Sequence, residues 1–335
     1  TQLCVASLKE MTLTNQKVVK SKAESFFQPE WDDQGNLYVV SDRNNWWNLF
    51  RVDQSTNDMD LIPLTNIEAE IGLPQWVFGQ SRYVFVGDEI WLAYREAGID
   101  NLATLLPDGR LEKIEIDATE IESVTNYQDG IVATVSSWKA ESLVTFVNRK
   151  EIRPLSKTRD LGIDENWFPV PETFTYQTSD SEKAHALFYS PTNPEHEISE
   201  KEKPPLIVLA HGGPTAAARR QLQLSITYWT SRGFGVADVD YRGSTGYGRS
   251  FRNRLRNSWG LADVEDCVSV AKYLVEQKKV DKNKLAIKGG SAGGFTVLAA
   301  LTFHDTFTAG ASRYGFADLA ILAKDTHKFE SRYLD

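Results

Sequence analysis

KGGSAGGF, residues 288–295, places one serine among four glycines, between the apolar run LAI and the apolar run TVLAALTF. The first run reads as a buried strand and the second as a helix, so the glycines stand where a strand turns into a helix. Gly289-Gly290-Ser291-Ala292-Gly293 fits G-x-S-x-G, a turn that lifts a serine out of the end of a strand. The flanking Gly289, Gly290, Gly293 and Gly294 have to be small for strand and helix to approach closely. The competing reading is a phosphate loop, but the G-K-[ST] of a Walker loop is missing, and a dinucleotide fingerprint needs an acidic residue about 20 positions on. Ser291 is therefore the candidate nucleophile. A hydroxyl is a poor nucleophile near neutral pH, so the chemistry also requires oxyanion donors and a base.

On either side of that turn, residues 171–335 alternate strands and helices. FTYQTSDSEKAHALFYS reads as a hairpin, PPLIVLAHGG as a buried strand and LQLSITYWTSRG as a helix capped by Gly233. FGVADVDYRG, KLAIKGG and TAGASRYG follow as strands, and LADVEDCVSVAKYLVEQ and GGFTVLAALTF as helices. The alternation predicts a parallel sheet with helices on both faces and reactive groups at the carboxyl ends of the strands. Two sources of oxyanion donors sit at such ends. One is the N–H of Ala292 at the helix start; the other is the set of amides in His211-Gly212-Gly213-Pro214, an HGGG-type loop. A third loop, Asp240–Gly248, can bring the hydroxyl of Tyr247 to the same place; the alternative for Tyr247 is a packing aromatic.

Residues 1–170 follow a β pattern: short alternating runs such as NLYVVSD, NLFRVD, RYVFVGD and GIVATVSS, broken by DDQGN and PDGR. EWDDQGNLYVVSDR followed by NLFRV is echoed by QWVFGQSRYVFVGDEIWLAYR followed by NLATL, and the spacing suits propeller blades of about 40 to 50 residues. On that scale the stretch holds about four blades. A β-sandwich is the competing architecture.

HGGP, RGSTGYG and GGSAGG, in this order and spacing, resemble the prolyl oligopeptidase family, particularly its acylaminoacyl-peptidase and dipeptidyl-aminopeptidase-like branches. The resemblance covers residues 172–335. It implies an α/β-hydrolase domain preceded by a β-propeller, with Ser291 as nucleophile, Ala292 N–H as one oxyanion donor, and Gly213 N–H or the Tyr247 hydroxyl as the second. It further implies that short peptides are the substrates; from the residues themselves, no cofactor is expected. Asp240 departs from the pattern, since related loops often carry Asn.

The base is harder to find. The hydrolase order is Ser, then Asp or Glu, then His, and the family places the last two after further strands that the 44 residues following Ser291 do not accommodate. His185, His196, His211 and His304 fall in an early hairpin, a polar loop, the oxyanion loop and the far end of a helix. His327, with Asp318 or Asp325, is the least poor candidate. The expectation is an internal segment of a longer enzyme, its propeller and its α/β-hydrolase domain both incomplete, and inactive alone for want of its catalytic Asp and His.

Bulk properties narrow the classes that remain. A formal net charge of −9 argues against nucleic-acid and anionic-membrane partners. Two cysteines 263 positions apart, with Cys267 on the apolar stripe Val264, Cys267, Val268, Ala271, Leu274, argue against a disulfide and for a reducing, cytoplasmic compartment. No metal-ligand spacing is present. Besides a serine peptidase, the readings left open are an esterase of the same chemistry and a non-catalytic propeller scaffold.

Overall fold

The alternating stretches of the first half form antiparallel strands in a computed structural model that describes residues 2–21, 23–56, 58–199 and 202–325. β1 (Cys4–Lys9) and β2 (Thr12–Val18) make a two-stranded sheet. Three four-stranded sheets follow, each in meander order. They are β3 (Phe26–Trp31), β4 (Leu37–Ser41), β5 (Asn48–Val52) and β6 (Leu61–Pro63); β7 (Tyr83–Val86), β8 (Glu89–Glu96), β9 (Ile99–Leu105) and β10 (Leu111–Ile114); and β11 (Glu120–Tyr127), β12 (Gly130–Ser137), β13 (Ala140–Val147) and β14 (Ile152–Pro154).

The period-2 geometry of a strand explains how these sheets stack. Neighbouring residues Val39 and Val40 of β4 are both fully buried, but in different cores: Val39 packs with Phe26, Phe50 and Leu61, and Val40 shares a core with Trp47, just before β5, and with Tyr83 and Leu92 of the next sheet. The second and third sheets meet in the same way through Trp91, Leu102, Ile121, Val124 and Ala133. Four-stranded antiparallel meanders packed face to face are blades of a β-propeller. Between the second and third blades the apolar filling gives way to charge. Arg82, fully buried, reaches Asp100 at 3.0 Å and also donates to the carbonyl oxygens of Ile71 and Ile121. Arg95 approaches the same Asp100 at 3.1 Å. Burial opposes ionisation of Asp100, and the two guanidiniums outweigh it and hold its carboxyl well below the usual carboxylate range.

In the second half, β15 (Pro171–Gln177), β16 (Lys183–Tyr189), β17 (Leu206–Ala210), β18 (Gly235–Asp240), β19 (Leu285–Gly290) and β20 (Ala309–Arg313) form one sheet in the order β15-β16-β18-β17-β19-β20. The helices are α1 (Leu224–Thr230), α2 (Gly248–Asn253), α3 (Ala262–Glu276), α4 (Ala292–Phe303) and α5 (Leu319–Asp325). The sheet is mixed, with the expected hairpin at its edge: β16 runs antiparallel to both β15 and β18, and the pairs from β18 through β20 are parallel. A short hairpin turn brings β16 back beside β15, whereas the parallel strands are joined through helices. α3 buries its stripe Val264, Cys267, Val268, Ala271 and Leu274 against this sheet, in a core shared with Val208, Val239, Ile287 and Val297. Gly233, at φ +83, ends α1 and turns the chain into β18.

The chain packs as two compact units, one of Thr1–Ser136, Ser142–Thr158 and Gly246–Arg249, the other of Ser137–Glu141, Arg159–Thr245 and Ser250–Asp335. The sequence pattern places the boundary at residue 170; the packing assigns residues 159–170 to the second unit and the short segment 246–249 to the first.

Candidate active site

Ser291 stands between the last residue of β19 and the first of α4, with φ 54° and ψ −121°. A serine at positive φ is strained, and here the strain is held from three sides. Its N–H donates to the Arg313 carbonyl of β20 at 3.1 Å, its own carbonyl accepts from Phe295 N–H at 3.1 Å, and β19 is flanked in register by β17 and β20. The four glycines are explained by what a Cβ would meet. At Gly293 it would lie 2.0 Å from the Ala210 carbonyl oxygen of β17, and at Gly289 2.4 Å from the Gly293 oxygen. At Gly294 it would meet Gly315 Cα at 2.8 Å, and at Gly290 the Tyr314 hydroxyl at 3.0 Å. Three of these four obstacles are backbone, so the elbow closes only when Gly289, Gly293 and Gly294 carry no side chain.

Because α4 begins at Ala292, the Ala292 N–H has no carbonyl within the helix to donate to, and the positive end of the helix dipole lies beside Ser291. The loop after β17 approaches from the other side: a Cβ on Gly212 would lie 3.3 Å from the Gly290 oxygen and 3.6 Å from Ser291 Cβ. The next residue, Gly213, is at φ +129, which an L side chain rarely adopts, and it precedes a cis peptide bond to Pro214. The second unit thus brings together Ser291, Ala292 and the Gly212-Gly213 segment.

A pillar beneath the loop fixes its position. The hydroxyl of Tyr241, a fully buried residue, donates to the carbonyls of His211 at 3.0 Å and Pro214 at 3.3 Å. Its ring stacks on the His211 imidazole with centroids 4.2 Å apart. His211 Nε2 meets Ser244 Oγ at 2.7 Å and Nδ1 meets the Gly212 carbonyl at 2.8 Å. Burial pushes the His211 pKa down to about 4, against a smaller upward pull from the Gly212 carbonyl, so the ring is neutral and both nitrogens are engaged. His211 holds the loop and is not placed to take a proton from Ser291. Asp240 also supports this region: Oδ1 accepts from Ala218 N–H at 2.6 Å, just downstream of the loop.

The remaining histidines are committed elsewhere. His185 Nδ1 pairs with Thr175 Oγ1 at 2.9 Å, and burial, then Arg254 and Lys183, lower its pKa to about 4. His196 belongs to the exposed loop after β16, and His304 Nε2 lies 3.7 Å from Glu265. His327 lies outside the described residues. Asp318 caps α5 by accepting from Ala320 and Ile321 N–H, and Asp325 ends that helix. Among the described residues, therefore, no histidine is placed as a base for Ser291. Nor do the described residues contain a group of three His, Cys, Asp or Glu able to hold a metal ion, or a helix long and apolar enough to cross a membrane.

Tyr247 falls in the segment Gly246–Arg249 of the first unit, half-buried between Gly246 and Gly248. The sequence pattern assigns no role to Tyr241, Ser244, Arg313 or Tyr314. Tyr241 and Ser244 lie in the stretch DYRGST, whose composition signals a loop but not a pillar, and the other two follow the nucleophile by more than 20 positions.

Residues 220–335 match the prolyl oligopeptidase family. The chain is 34% identical over 119 residues to dipeptidyl aminopeptidase BIII of Pseudoxanthomonas mexicana, covering 35% of this chain and 17% of that one. It is 28% identical over 192 residues to the acylamino-acid-releasing enzyme of Rattus norvegicus, covering 56% of this chain and 25% of that one. The crystal structure of puromycin hydrolase superposes with a TM-score of 0.94 at 35% identity, over 100% of this chain and 51% of that one. The chain thus spans about half the length of that solved relative and a smaller share of the other two.

Proposed function

Since residues 220–335 carry a prolyl oligopeptidase family domain, we propose that this chain supplies the nucleophile and oxyanion site of a serine peptidase acting on short peptides. The observation that carries the reading is Ser291 held at φ 54° on a strand-to-helix turn, with the Gly212-Gly213 loop beside its Cβ. In this mechanism Ser291 Oγ attacks the substrate carbonyl carbon, a base takes the hydroxyl proton, and the carbonyl oxygen becomes an oxyanion. Ala292 N–H donates to that oxygen, and Gly213 N–H or the Tyr247 hydroxyl is the second donor. The leaving amine receives the proton, and water then attacks the acyl-enzyme and restores the serine. The base and its acid come from polypeptide outside the described residues.

Fluorophosphonate labelling tests this directly, with Ser291→Ala as control, peptide mapping of the adduct, and puromycin, the substrate named for the solved relative, as an amide to assay. An adduct on Ser291 that is lost in Ser291→Ala is the expected result. An adduct on a residue other than Ser291 would remove the nucleophile assignment.

A further inference from the structure

We infer that Glu70 is a positioning residue for Tyr247, gripping the turn that presents its hydroxyl. This inference rests on the Tyr247 alternative for the second oxyanion donor of the proposed mechanism. Glu70 is 2% exposed, and its two carboxylate oxygens take the two amides that bracket Tyr247: Oε2 accepts from Gly246 N–H at 2.6 Å and Oε1 from Gly248 N–H at 3.0 Å. Both donors belong to glycines at positive φ, +99 for Gly246 and +85 for Gly248. The intervening loop is thereby shaped into a concave anion site of the kind successive amides make, with a carboxylate of the same unit already in it. Charge-assisted bonds of this type are shorter and stronger than neutral ones, and breaking them here would strip a buried carboxylate of two donors.

The grip is backed on both sides. Glu70 is tied into the blade by a reciprocal bridge with Arg95, with N–H to carbonyl distances of 2.9 Å and 2.8 Å. The Arg95 guanidinium is in turn fixed by Asp100 and Glu120. On the far side of the turn, Arg249 N–H donates to the Asn45 carbonyl at 2.6 Å, and the Arg249 side chain reaches the Ala23 carbonyl at 3.0 Å and Asp42 at 3.5 Å. A Cβ on Gly248 would lie 2.5 Å from Asn45 Nδ2. Tyr247 is thus the residue between two anchored peptides. A phenol donor is useful to an oxyanion only if it is already in place when charge develops.

The test uses Glu70→Gln, which keeps one acceptor oxygen and the side-chain volume, Glu70→Ala, Tyr247→Phe and the double variant. On the 335-residue chain, amide exchange in the peptide carrying Tyr247 should quicken at least about 10-fold in both Glu70 variants while global unfolding stays cooperative; unchanged exchange would overturn the grip. In the active enzyme containing this sequence, Tyr247→Phe should lower kcat on the order of 100-fold. Glu70→Gln should lower kcat at unchanged KM, and the double variant should be no worse than Tyr247→Phe alone. Additive losses would overturn the positioning role. Faster exchange in the Glu70 variants combined with full activity of Tyr247→Phe would sink the oxyanion reading and leave Glu70 as the anchor of the turn.

Discussion

Replacing Gly293 by alanine adds a single methyl group, yet the geometry around it predicts a large effect. The new Cβ would stand 2.0 Å from the Ala210 carbonyl oxygen and 2.8 Å from that of His211. Both obstacles are backbone of a central strand and the loop that follows it, so no side chain can swing aside. Relaxing the shorter contact to an ordinary one of about 3.4 Å requires the first turn of α4 to withdraw from β17 by about 1.4 Å. Overpacking of this kind costs about 3 kcal/mol, the upper end of the usual range, and for a domain of this size lowers the melting temperature by roughly 6 to 12 °C. Ser291 moves with the helix, and a displacement near 1 Å at a reacting atom costs on the order of 100-fold in rate. Thermal unfolding of the chain and the rate of fluorophosphonate capture by the active enzyme measure the two effects. Gly233→Ala is the comparison, because its φ is +83 but nothing lies within 4 Å of the added Cβ, so it carries backbone strain of about 1–2 kcal/mol and no collision. If Gly293→Ala melts no lower than Gly233→Ala and its serine reacts at the parental rate, the close approach of α4 to β17 is not what shapes the elbow.

Two further outcomes follow from buried charge. Arg82→Met leaves Asp100 deep in the propeller with one of its two guanidinium partners removed, and should destabilise the chain by about 3 kcal/mol or more in urea unfolding; a midpoint unchanged from the parent would contradict the account of this network. Burial, and then Asp240, raise the Asp238 pKa to about 7, so the folded protein keeps a proton that the unfolded chain releases near 3.9. The folded state binds more protons across that window, and its stability falls as pH rises from about 4 to 7, by at most about 4 kcal/mol. Asp238→Asn removes this loss, so the variant should gain on the parent in melting temperature between pH 5 and pH 8, whereas parallel curves would refute the assignment.

The strand-to-helix turn was legible because its demands are local: small residues on both sides of a serine, apolar runs before and after. The same holds for the stripe that buries Cys267 and for Gly233 ending α1. The hairpin of β15 and β16 was legible from its turn, but the neighbour on the other side of β16 was not, since an apolar run such as ALFY is equally at home beside any strand of the sheet and only the fold sets it antiparallel to β18. The short helix α2 reads in sequence as the tail of a glycine loop, since GRSFRN has neither a capping residue nor an apolar stripe. Glu70 left no trace at all, because its amide partners lie 176 and 178 positions away and backbone N–H groups carry no sequence signature. The support of the oxyanion loop was hidden for a related reason. Tyr241 and His211 are 30 positions apart, and only the register of β17 beside β18 stacks them.

The two thiols differ in a way that turns the protein into its own clock. Cys4 lies exposed on β1, whereas Cys267 is fully buried in α3, where burial and then Asp263, Asp266 and Asp238 push its pKa well above the usual thiol value. An alkylating reagent added to the native chain should modify Cys4 at once and reach Cys267 only during the moments when the core around α3 opens. The ratio of the two modification rates then reports how often that core opens. A single mass spectrum, taken over time, would distinguish variants that loosen the nucleophile-bearing unit from variants that act only on the blades.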